Sequence, residues 1–163
     1  MWEQSWRADP RSRRVADRHY NRQSIGAAQF VPPGRCQVLY RRTDAGQAFW
    51  VTSWPFPEYV KHAWPGAWVC SAFRNEGAGL SSDLIIAAVG AARSKWEPPP
   101  LGMITFVNHR KVRGKRDPGY CFLVAGFQRV GTTKAGLIAL QLLPEAMPEA
   151  RPPTTKQLSL LGR

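Results

Sequence analysis

The residues best suited to chemistry lie together in mid-chain, where Arg74-Asn75-Glu76-Gly77-Ala78-Gly79 runs into Leu80, Ser81 and Ser82. Glycines between a strand and a helix let the backbone approach a ligand closely and point N–H groups at it. The helix that follows adds partial positive charge at its N-terminus. Together these features make a pyrophosphate site, to which Arg74 can add a guanidinium. Arg74, Gly77, Ala78, Gly79, Leu80, Ser81 and Ser82 are therefore expected to hold a phosphorylated cofactor.

Groups that could take a proton from an ammonium acceptor are few: Glu58, His62, Glu76 and His109. An exocyclic amine on a nucleic-acid base is already neutral at pH 7. It needs alignment and an oxyanion site more than a strong base. Cys36, Cys70 and Cys121 form neither a CxxC pair nor a Cys/His metal pattern. His19 and His109 have no third spaced ligand, so no metal site is expected.

The formal net charge of +12 favours a polyanionic partner and would repel a cationic amine. Its densest run is Arg110, Lys111, Arg113, Lys115 and Arg116, expected to contact phosphates. The first 35 residues add seven arginines and no lysine. Trp50, Trp54, Phe56, Tyr59, Trp64 and Trp68 crowd the middle of the chain. Some must be core; those among the prolines of residues 54–64 are placed to stack an unstacked base.

The elements that position these groups follow from periodicity. A hydrophobic fraction of 44% in 163 residues allows one domain with a real core. Alternating runs at 36–42 and 48–54 around an Asp44/Gly46 turn read as a hairpin. Residues 67–73 read as a further strand. Leu84, Ile85, Ala88 and Ala92 fall at helical spacing, with Ser81 or Ser82 as cap. A short strand at 101–107, a short helix from Tyr120, a strand after Gly126-Phe127 and a last strand at 137–143 complete a mixed α/β pattern. Residues 11–22 read as a helix start or a basic arm. The tail from Pro144 reads as a flexible linker, giving a domain at 1–143 and a tail at 144–163. The most apolar run, 84–92, is far shorter than the roughly 20 residues a membrane helix needs. No signal peptide is evident at the N-terminus, and the scattered thiols fit a reducing compartment. The expected location is cytoplasmic, with no membrane partner.

Arg74, Gly77 and Gly79 fill the pattern Gln/Arg-x-x-Gly-x-Gly/Ala, and the segment over roughly residues 66–142 resembles the GNAT superfamily of N-acetyltransferases. The resemblance implies a GNAT-like mixed twisted sheet with flanking helices. It implies acetyl-CoA or another acyl-CoA as cofactor. It also implies that backbone N–H groups near 69–72 polarise the thioester carbonyl. Many members carry a tyrosine four residues before the Gly-Phe pair, to protonate the CoA thiolate. Here that position is Phe122, with Tyr120 and Cys121 beside it. Within the superfamily the chain looks most like the Mom-type phage DNA-modification proteins, through His19-Tyr20, the stretch 73–85 and the segment 104–127. That likeness implies modification of adenine N6 in DNA, with His19 and Tyr20 as site candidates; Glu76, as a base, and Tyr120, beside the usual tyrosine position, complete the candidate catalytic residues. Gln157-Leu158-Ser159-Leu160-Leu161 resembles the pentapeptide that binds the bacterial sliding clamp, with Leu161 in place of the final Phe. Gln157, Leu158, Leu160 and Leu161 would make that contact. The expected function is an acyl-CoA-dependent DNA-modifying transferase. The alternatives are an acetyltransferase of a protein or small amine, and a non-catalytic DNA- or clamp-binding protein on the same scaffold.

Overall fold

The computed structural model describes residues 1–19, 25–27, 30–110 and 118–155. Seven strands form one sheet: β1 (Glu3–Gln4), β2 (Arg35–Thr43), β3 (Gly46–Trp54), β4 (Trp68–Glu76), β5 (Met103–Val107), β6 (Gln128–Thr132) and β7 (Ile138–Leu142). Their spatial order is β1-β2-β3-β4-β5-β7-β6. Only β4 and β5 are parallel; every other neighbouring pair is antiparallel. A parallel pair needs a crossover, which here is the helix α2 (Ser81–Lys95). The mixed α/β class is present, as are the strands expected at 36–42, 48–54, 67–73, 101–107 and 137–143, the helix expected through Leu84 and Ala92, and the short helix expected from Tyr120.

Both faces of the sheet are covered, so β3 is buried from Ala48 to Ser53 rather than alternating with solvent. On one face α1 (Pro10–Ala16) packs Val15 and Ala16 against Val38, Tyr40, Phe49 and Val51. On the other, α2 and α3 (Tyr120–Val124) enclose Leu39, Trp50, Trp68, Ile85, Val89 and Phe122. Asp9 caps α1 by accepting from the Arg11 N–H at 2.9 Å, and Pro10 takes the first helical position, where no N–H is needed. Burial opposes ionisation of Asp9, but hydrogen bonds from Arg11 and Ser5 hold its carboxyl below the ordinary value. The basic segment near residue 11 is thus a short capped helix, not a free arm.

The tail differs from the linker expectation as far as Thr154. Arg151 N donates to the Gly90 carbonyl at 3.0 Å, and Met147 is buried. Thr154 N donates to the Trp2 carbonyl at 2.9 Å, and Gln4 N to the Thr154 carbonyl at 2.7 Å. This strap crosses α2 where a Cβ on Gly90 would lie 3.0 Å from the Glu149 carbonyl oxygen, which accounts for a glycine in mid-helix. The domain therefore runs past residue 143, because Met147 and the strap's backbone groups find partners on it. Gln157, Leu158, Leu160 and Leu161 lie outside the described residues, as do Tyr20, Lys111, Arg113, Lys115 and Arg116. Among the described residues no helix is long and apolar enough to cross a membrane.

Candidate functional site

Two irregularities in β4 build the site. The first is a bulge. Val51 pairs with Ala72 and Thr52 with Cys70, leaving Ser71 as the extra residue. One extra residue exchanges the faces of everything after it. Trp68 and Cys70 point into the α2 face before the bulge, and Phe73 does so after it. Ala72 joins the α1 face. The second is divergence. β4 pairs with β5 only from Trp68–Met103 to Cys70–Thr105, and then the strands part. Among the described residues the two strands make no ladder pair beyond Cys70–Thr105, so the end of β4 separates from β5 there.

Beyond the divergence, Gly77 and Gly79 take positive φ values of 89° and 139°, conformations that side chains resist. A Cβ on Gly79 would meet nothing within 4 Å, so the loop faces open space there. Asn75 shapes the loop from within. Its Nδ2 donates to the Gly79 carbonyl at 2.7 Å and to Ser81 Oγ at 3.0 Å, and its Oδ1 accepts from Ala78 N at 2.9 Å. The expected serine cap is absent. Leu80 occupies the N-cap without a side-chain hydrogen bond, because Ser81 Oγ faces Asn75 and Ser82 is buried. The first-turn N–H groups of α2 thus keep the donor capacity and positive potential that suit an anion.

Arg74 is not placed at this loop. The bulge turns it to the α1 face, where its Nε donates to Glu76 Oε2 at 2.7 Å. The guanidinium at the loop belongs to Arg41, whose Nε donates to the Ala78 carbonyl at 2.9 Å. Arg41 and Arg151 line a cavity of about 450 Å³ together with Met1, Gly79, Leu80 and Asp83. The residues present fit a phosphorylated ligand through Gly79, Leu80, Ser81, Arg41 and Arg151. Arg74, the N–H of Ala78 and the side chain of Ser82 are otherwise engaged. Sequence reading places Asn75 in the loop without giving it a role, and misses Arg41, which only proximity in the fold connects to the loop.

The proton-transfer candidates separate. Arg18 grips Glu76 with two bonds, 2.7 Å to Oε2 and 2.6 Å to Oε1. Hydrogen bonds from Arg18 and then Arg74 outweigh burial and pull the Glu76 carboxyl down to about 2. A carboxylate held so firmly is a weak base at neutral pH. His19 packs edge-on to Phe49, which pairs across β3–β4 with Arg74, so His19, Arg74 and Glu76 share the α1 face. Tyr120 does not join them; it opens α3 on the other side and is 58% exposed. Phe122 is packed between Phe73 and Phe127, so the usual position of the tyrosine is core here. His62 accepts a hydrogen bond at Nδ1 from Trp64 N at 3.0 Å, which leaves its proton on Nε2. Burial lowers its pKa, so it is a neutral donor above Phe106, the first β5 residue past the last β4 pair. Glu58 and His109 are exposed, and Arg110 follows His109 in the turn after β5. Of the aromatic group, Trp50 and Trp68 are core, whereas Phe56 and Tyr59 are exposed.

The Glu76 linkage predicts a pH effect. Its folded pKa is depressed, so the stability it contributes is full above its ordinary pKa of 4.5 and is lost as pH falls toward 2. Arg18 is 46% exposed, so solvent screening reduces the pair to about 1 kcal/mol. Glu76→Gln is expected to melt a few degrees below the parent at pH 7, with the gap closing near pH 2. A gap that persists there would show that the carboxylate is not the stabilising group.

Among the described residues no group of three or more His, Cys, Asp or Glu is placed to hold a metal. Comparison with protein-family models, with curated proteins and with solved structures returns no match.

Proposed function

We propose that the protein binds an acyl-CoA where β4 leaves β5, and transfers an acyl-derived group to an exocyclic amine of a DNA base. The observation that carries this reading is the bulged, diverging end of β4 leading into an uncapped glycine loop at the start of α2. The order of elements supports a GNAT-like sheet: three antiparallel strands, a long helix, a parallel strand, a short helix and an antiparallel pair. Acetyl-CoA or another acyl-CoA, when bound, supplies a thioester, an activated carbonyl. The chain's part is to hold and orient. N–H groups of Gly79, Leu80 and Ser81 with the guanidinium of Arg41 neutralise phosphates, and the end of β4 beyond its last β5 pair would lie beside the thioester.

No strong base faces the site among its described residues. Glu76 is too weak a base, and His62 offers a proton rather than a lone pair. Such a site suits an amine that arrives neutral, as adenine N6 does, better than a lysine ammonium. A net charge of +12 points the same way. The likeness to Mom-type proteins supports adenine. Burial of Phe122 favours a second reading, a DNA- or clamp-binding protein that binds acyl-CoA without turnover. Recruitment by the sliding clamp through Gln157, Leu158, Leu160 and Leu161 belongs to either reading.

Nucleoside mass spectrometry of DNA from cells expressing the protein tests transfer. A mass-shifted deoxyadenosine is expected with the parent chain and not with a variant unable to bind acyl-CoA. DNA that digests to unmodified nucleosides in both would overturn the transfer reading.

A further inference from the structure

At the opposite end of α2 from the glycine loop, a cavity of about 400 Å³ is lined by Trp6, Arg7, Arg35, Lys95 and Trp96, with no carboxylate among its lining residues. Its size suits one nucleotide. The charges in it are held differently from three other arginines of the domain. Arg11, Arg18 and Arg74 are each bonded to a carboxylate. Arg7 instead donates to the Gly34 carbonyl at 2.6 Å, and Lys95 to the Cys36 carbonyl at 3.0 Å. Arg35 donates to the Trp54 carbonyl at 3.3 Å and lies 3.9 Å above the Trp54 ring. Carbonyls and ring faces fix where these cations sit but leave their charge unmatched. Three unmatched cations held close together repel one another, a cost that an anion would relieve.

Flat apolar surface adjoins them. Trp6 is 55% exposed in the cavity wall, whereas Trp2, Trp50 and Trp68 are buried. Phe56, 50% exposed, continues the surface on the far side of Arg35, 5.2 Å from its guanidinium. Fixed cations alternating with exposed aromatic faces match a chain of phosphates carrying unstacked bases. A duplex buries its base faces and could use only the cations.

We propose that this surface binds single-stranded nucleic acid, with Arg7, Arg35 and Lys95 on phosphates and Trp6 stacked on a base. The binding is independent of acyl transfer and uses a different part of the molecule from residues 110–116.

Fluorescence anisotropy with a labelled oligothymidylate, read over a range of salt, tests it in the full chain. Arg7→Gln/Lys95→Gln should weaken binding about 10-fold or more and reduce the salt slope by about 1.4, at about 0.7 per phosphate contact on a single strand. Trp6→Ala should weaken binding about 5-fold or more with the slope unchanged, and Trp6→Phe should restore most of it. Melting curves and acyl-CoA calorimetry should match the parent for all three. Loss of acyl-CoA binding by the parent would therefore strike the proposed function and leave this surface standing. Unchanged affinity and slope in the double variant would overturn the inference. So would a Trp6→Ala defect equal on duplex and single strand, or tighter binding of the parent to anionic phospholipid vesicles than to the oligonucleotide.

Discussion

Ser81→Asp is expected to abolish acyl-CoA binding, by about 100-fold or more, without lowering the melting temperature. Ser81 is the first residue of α2 and accepts from Asn75 Nδ2 at 3.0 Å, a bond an aspartate oxygen can also accept. A carboxylate in the first turn favours the helix by about 0.3–1 kcal/mol, so the fold should hold or gain slightly. The same carboxylate occupies the region of positive potential assigned to phosphates. At about 4 Å and an effective dielectric constant near 20, one unit of repulsion is about 4 kcal/mol, and more than one phosphate charge is involved. Ser81→Ala loses one hydrogen bond and should change affinity only a few-fold. Calorimetry with acetyl-CoA alongside thermal melts reads both quantities. Retained affinity in a stably folded Ser81→Asp protein would remove the anion site from the start of α2.

Gly46→Ala should lower both stability and acyl-CoA affinity, for a different reason. Gly46 closes the β2–β3 turn against the end of β4. A Cβ there would overlap the Glu76 carbonyl oxygen and lie 3.0 Å from the Gly77 carbonyl carbon. These are backbone atoms, with no rotamer to yield. Either the turn lifts from the sheet or the glycine loop moves. Overpacking of this kind costs about 1–3 kcal/mol, which corresponds to a fall of about 2–12 °C in melting temperature. The glycine loop should lose its anion geometry at the same time. Scanning calorimetry with an acetyl-CoA titration distinguishes the variant from Ser81→Asp, which loses binding alone. A Gly46→Ala protein with parental stability and affinity would show that the turn and the loop are not coupled.

Much of this architecture is legible in the residues. Alternation marks the β2–β3 hairpin, helical spacing marks α2, and the glycines mark the loop. The direction of Arg74 is not legible in the same way. Counting by twos from Trp68 places Arg74 on the α2 face with the loop. The bulge at Ser71 moves it to the other face and gives Asn75 that position instead. A trace of the shift exists, since the large apolar residues Trp68 and Phe73 are five apart and cannot share a face of a regular strand. Arg41 was hidden for another reason: it reaches the loop across the sheet, from a strand 37 positions away in sequence. Composition does not distinguish the strap from Pro144 to Thr154 from a linker, because proline-rich sequence fits a bound extended segment as well as a free one. β1 is too short for any periodicity to register.

That strap also bears on how the chain folds. Trp2 and Thr154 are 152 positions apart in sequence, and their backbones are hydrogen-bonded. Closing so long a loop is entropically costly in an unfolded chain but cheap once the sheet has brought its two ends together. The closure is therefore expected to follow the rate-limiting step of folding and to leave the folding rate nearly unaffected. Interactions absent from the transition state act on the unfolding rate instead. The bond between the two ends is thus expected to work as a latch that lengthens the lifetime of the native state.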